Sequence, residues 1–98
     1  MNSFGEYLRN RREQLGLPLR KVAAELDIDT SILSKIERGE RVATKEMLPT
    51  LVRTLEVQDK EIEVEFIKTS ILSSIGDLKF LISGLEETLT SIKNRKQI

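Results

Sequence analysis

The sequence predicts an all-α protein in two parts, a globule of short helices over residues 1–58 and a helical extension over residues 59–98. Three observations carry that reading. Apolar side chains recur at intervals of three and four along most of the chain, the period of a helix with one buried face. Gly16, Pro18 and Gly39 fall between the first stripes, where helices stop and start. The one stretch that alternates like a strand, Asp59 to Phe66, has no second strand to pair with, and a lone strand is not stable.

Ser3 is placed to cap a first helix whose Phe4, Leu8, Arg12 and Leu15 share one stripe, and Gly16 ends it. Pro18 suits the first position of a second, short helix with Val22, Ala23 and Leu26 inward, ending near Asp27. Asp29 or Thr30 caps a third helix. In it Ile28, Leu33 and Ile36 face the core, Thr30, Ser31, Ser34, Lys35 and Arg38 face out, and Gly39 stops it. Residues 40–43 connect to a fourth helix with Met47 or Leu48, Leu51, Val52 and Leu55 inward. Pro49 removes a backbone donor, so this helix either starts later than Thr44 or kinks in its first turn. Val57 closes the core, and the boundary falls at Gln58.

Beyond it, Ile62, Phe66 or Ile67, and Ile71 fit a helix. Ile71, Ile75, Leu78, Ile82, Leu85, Leu89 and Ile92 then follow at heptad spacing. Gly76-Asp77 interrupts that stripe in composition, and Gly84 lies inside it. Two arrangements satisfy the pattern: one long helix in a coiled coil, or two helices that break at Gly76-Asp77 and pack as a hairpin. Residues 93–97 read as a frayed, solvated end.

Composition excludes several kinds of chemistry. With no Cys and no His, the chain has no disulfide, zinc finger, thiol nucleophile or imidazole base. No Asp/Glu cluster has the spacing of a calcium loop, so neither a metal, a cofactor nor an enzymatic activity is expected. Lacking an apolar leader or an eighteen-residue apolar run, the protein is expected to be cytoplasmic and off the membrane. Formal net charge is zero, with sixteen basic and sixteen acidic residues, so any polyanion must be met by placement of cations rather than by their excess.

The second and third helices with their tight turn, over Arg12 to Gly39, make a helix-turn-helix. The major groove of DNA admits a helix and shows each base pair a different hydrogen-bonding pattern. Thr30, Ser31, Ser34 and Lys35 sit on the exposed face of the second motif helix, and Lys35 has the reach for guanine O6 or N7. The bland alternative is a solvated polar face.

These residues, and the run Asp29-Thr-Ser-Ile-Leu-Ser-Lys-Ile-Glu-Arg-Gly39, resemble the small repressors that include the lambda-type repressors, Cro and the Xre-type regulators. The resemblance covers the chain up to about Gln58. It implies a lambda-repressor-like domain, base contacts from Thr30, Ser31, Ser34 and Lys35, and phosphate contacts from Arg38, Arg41 and Lys45. It also implies a partly buried salt bridge between Arg12 and Glu37 that fixes the angle between two helices. Three positions depart from the family pattern. Leu19 replaces a Gln that touches phosphate, leaving Arg20 or Lys21 to take over that contact. Asp27 replaces the Gly of the turn, and Asp tolerates a left-handed backbone better than most residues. Val42-Ala43 replaces an Asn-Pro.

One helix-turn-helix covers half a site, so a homodimer on double-stranded DNA is expected, a tetramer being compatible with the same stripe. The heptad residues supply the oligomer contact, or else fold back on their own globule. Short length and bare architecture also resemble restriction-modification controller proteins and antitoxin repressors. A third reading makes the tail a protein-interaction module without sequence-specific DNA binding.

Overall fold

A computed structural model of the chain describes residues 3–96. The helices are α1 (Phe4–Gln14), α2 (Leu19–Glu25), α3 (Thr30–Glu37), α4 (Leu48–Leu55), α5 (Asp59–Ile75) and α6 (Leu81–Lys96), with one 3₁₀ turn at Lys45–Met47. Among the described residues there is no strand, and the alternating segment from Asp59 to Phe66 is the first half of α5. Its side chains settle an ambiguity of register. Ile62 is fully buried and Phe66 packs edge-on against Phe4 with ring centres 5.3 Å apart, whereas Ile67 stays exposed.

Sequence punctuation maps closely onto the helix ends. Ser3 caps α1, its hydroxyl accepting from the Glu6 N–H at 3.1 Å. Pro18 is the residue before α2 rather than its first member, with an extended backbone that suits its ring equally well. Asp29 precedes α3. Pro49 neither kinks nor breaks α4, because a 3₁₀ turn carries the chain to Leu48 and leaves Pro49 in the first turn, where a missing N–H costs nothing. At the other end Glu56 takes a left-handed conformation, with φ of 54°.

The core is built from Phe4, Leu8, Val22, Leu33, Ile36, Leu51, Leu55 and Ile62, with small Ala23 and Ala43 filling between them. Val57 only packs at its edge, and Ile62 takes the enclosed place expected for it. The core therefore crosses the boundary expected at Gln58, which is the residue preceding α5. Burying one such aliphatic side chain contributes about 1.5–3 kcal/mol, and without Ile62 the globule would expose its own underside.

Helix α1 is the element on which α3, α4 and α5 converge. Thr69 of α5 accepts from the Phe4 N–H at 2.8 Å, satisfying a donor that the start of a helix leaves free. Arg11 donates to the carbonyls of Leu55 and Glu56 at 2.8 and 3.2 Å, capping the end of α4. Gly5 lets α1 lie directly on α3: a Cβ there would fall on the carbonyl oxygen of Ile36 and within 2.8 Å of that of Glu37. Gly→Ala in a helix ordinarily gains ~1 kcal/mol. At Gly5 the collision is with backbone, so Gly5→Ala is expected to destabilise by about 2 kcal/mol net in urea unfolding. A stabilised variant would mean that the two helices are not in close approach.

The tail departs from a continuous seam. Gly76 to Phe80 form a turn, so α5 and α6 are two helices, and Leu78 lies in the turn rather than on either. Ile71 is half-buried, while Ile75, Leu78, Ile82, Leu85, Leu89 and Ile92 are exposed. No residue of α6 is buried, and the helix makes no extensive packing against another element. The stripe thus neither runs as one helix nor folds back on the globule. Helix α6 continues to Lys96 instead of fraying from Lys93, and Gln97 lies outside the described residues.

Candidate nucleic-acid interface

Helices α2 and α3 form the motif, and the turn between them depends on Asp27. Its φ is 56°, the left-handed region, reached without a glycine because Asp pays a smaller steric penalty there than most residues. Ile28 N–H bonds the Ala23 carbonyl at 3.1 Å, closing α2 as the chain reverses. Gly39, with φ of 78°, ends α3 in the same manner, and the Glu40 N–H returns to the Lys35 carbonyl at 2.8 Å.

The angle of α3 is set from its buried side. Arg12 donates to both carboxylate oxygens of Glu37, at 2.8 and 3.0 Å, and to the Leu17 carbonyl at 2.9 Å. The side chains are 13% and 5% exposed, so this two-pronged pair sits at the edge of the core. Hydrogen bonding to Glu37 pushes the Arg12 guanidinium above its already high pKa, which favours its charged form. Leu33 and Ile36 bury the same face of α3.

The outer face then follows from helical geometry. Thr30, Ser31 and Lys35 are exposed, and Ser34 is half-buried. Ser34 and Arg38 are already engaged: the Arg38 guanidinium donates to the Ser34 hydroxyl and, at 2.8 and 3.2 Å, to the Glu40 carboxylate. Hydrogen bonding across this pair raises the Arg38 pKa and lowers that of Glu40, favouring the charged form of each. Of the expected base-facing set, Thr30, Ser31 and Lys35 are open. Of the phosphate-facing set, Arg20, Arg41 and Lys45 are exposed and make no ion pair among the described residues. Lys21 leans toward Glu25 at 3.8 Å, a loose exposed contact that a phosphate can displace.

Sequence reasoning missed three participants. Glu40 is one, and its place two residues from Arg38, within reach of a guanidinium, is the signal that could have found it. Arg11 and Gly5 act through distant elements, and no local signal marks them.

A family model described as a helix-turn-helix domain matches residues 3–64, well over half of the chain. The chain belongs to that family, and DNA binding is the activity that fold and family support. The match reaches into α5, as the packed core does. No curated protein and no solved structure matches the chain. No helix among the described residues is long and apolar enough to cross a membrane.

Proposed function

We propose that the protein is a sequence-specific transcriptional regulator of the lambda-type repressor, Cro and Xre kind, binding a palindromic operator as a homodimer and repressing by occlusion. The observation that carries this is the open Thr30, Ser31 and Lys35 face on a helix whose angle is fixed by the Arg12–Glu37 pair. A groove-reading helix needs both, exposed donors at its start and a rigid seat behind them. Arg20, Arg41 and Lys45, with Lys21, supply phosphate contacts that position the helix without reading sequence. Self-association through the apolar side chains of the tail presents a second α3 about 34 Å away, one turn of DNA along. The short length and bare architecture resemble those of restriction-modification controllers and antitoxin repressors, and repression of its own operon fits either.

Selection of bound duplexes from a random pool tests the proposal. A two-fold symmetric consensus, with half-sites about 10 bp apart, is expected. A pool that stays unenriched after several rounds would reject it.

Glu40 tunes the same surface. Freeing Arg38 with Glu40→Ala removes a negative charge and releases a phosphate ligand, so the log-log salt slope of DNA binding should steepen by ~0.9. An unchanged slope would show that Arg38 does not reach the phosphate backbone.

A further inference from the structure

An open groove of about 190 Å³ lies between the start of α1, the loop after α3, and α5. Phe4, Ile36, Ala43 and Phe66 line its interior, and Val42 and Leu72 its rim. The volume is below the roughly 300–1,000 Å³ of a small-molecule site. It is closer to the ~150 Å³ apolar cavity that accepts one benzene, room for the ends of a few aliphatic side chains. Val42 is 76% exposed on this rim, which is unusual for a residue flanking a core alanine.

The same chain carries side chains of the right kind and spacing. Ile82, Leu85, Leu89 and Ile92 recur at three and four along α6, and Ile82 is 73% exposed. Nine large apolar side chains from Ile67 to Ile92 are exposed. Of these, Leu72 on the rim and Ile82, Leu85, Leu89 and Ile92 on α6 are the ones that seating α6 in the groove would cover, once on each copy. Charge sets a direction. The first half of α5 carries Asp59, Glu61, Glu63 and Glu65 against Lys60 alone, while the last turn of α6 carries Lys93, Arg95 and Lys96. Laying α6 antiparallel on α5 with Leu85 near Ser70 brings that basic end to the acidic half of α5, where Glu61 already accepts from the Tyr7 hydroxyl and Glu65 pairs with Lys68, so Asp59 and Glu63 are the acids left to meet it.

We infer that α6 of a second copy seats in this groove, antiparallel to α5, and that the exchange is reciprocal. The inference rests on the self-association proposed above and assigns it a place. A two-fold pair makes both grooves and both α6 helices equivalent, which closes the assembly at a dimer. Because Ile36 and Gly39 form part of the groove wall, the partner's helix braces the end of α3. That brace adds to the Arg12–Glu37 pair, which already holds α3 within each chain.

The absence of cysteine makes the test direct. Ser70→Cys and Leu85→Cys proteins are prepared separately, mixed without DNA and oxidised. A covalent dimer is expected from the mixture and little from either protein alone, since a disulfide needs Cβ atoms about 3.5–4.5 Å apart. Efficient crosslinking of Leu85→Cys alone would place α6 against α6 and overturn the inference. So would a doubly substituted chain that closes on itself as a monomer. Val42→Cys, on the facing rim, replaces Ser70→Cys if reduced Ser70→Cys melts early. Light scattering on the unmodified protein separates the two levels: a monomer contradicts self-association itself, whereas a dimer without the mixed crosslink contradicts only the docking site.

Discussion

Arg12→Met is expected to cost about 3 kcal/mol of stability, the lower end of what breaking a buried ion pair costs. The variant leaves the Glu37 carboxylate, 5% exposed, with neither of its two donors, and leaves the Leu17 carbonyl without its guanidinium partner. A chain of this size has a total stability near the bottom of the 5–15 kcal/mol range, so much of the population should unfold at moderate temperature. The companion double variant, Arg12→Met with Glu37→Met, should recover most of the loss, because no isolated charge then remains at the core edge. Urea unfolding of the four proteins in the cycle gives the coupling directly. A single-variant cost below ~1 kcal/mol would mean that water already screens the pair, as at an exposed surface bridge.

The second large effect is on specificity rather than stability. Ser31→Ala with Lys35→Ala should reduce the preference for the selected operator over random DNA by 10²–10³-fold, at ~1–3 kcal/mol for each good base contact. Both side chains are exposed, so the melting temperature should hardly move. Non-specific affinity should fall only by the share of the lost lysine charge, a salt-slope change near 0.9. Should function persist unchanged in the double variant while Leu85→Asp abolishes it, the protein acts through its tail as an interaction module and α3 is a scaffold.

How much was legible in the sequence depended on whether a feature was local. Helix stripes, Ser3 as a cap, Asp27 in the left-handed turn and Gly39 as a stop are decided within a few residues, and the structure has each of them. Pro49 was ambiguous because two local solutions exist, and the 3₁₀ turn at Lys45–Met47 chooses the later start. Phe66 and Ile67 are adjacent, so periodicity alone left either one inward; the ring of Phe4 selects Phe66. Arg11 capping α4 and Gly5 under the Ile36 carbonyl depend on contacts between distant elements. Of the two arrangements that the heptad spacing allowed, the break at Gly76-Asp77 is present, whereas the single long helix and the close packing of a hairpin are not. A repeat of apolar residues passes through Leu78 as if on a helix, but Gly76-Asp77 turns the chain there, and the stripe ends on a separate helix with no partner in its own fold.

For the open face of α3, the implication is that recognition is preorganised. Three of the four expected base-facing residues are open on a helix clamped from behind, and Ser34 is held by Arg38. The phosphate contacts proposed above would come from several elements, which fits a chain whose net charge is zero and whose cations work by position.

The most direct measurement is a competition titration of the unmodified protein between the duplex selected from the random pool and a scrambled duplex of equal length, at one fixed physiological salt concentration. The account predicts a specificity ratio of at least ~10³, lost in the Ser31→Ala, Lys35→Ala double variant. A ratio near unity for the unmodified protein, with both duplexes competing equally, would contradict it.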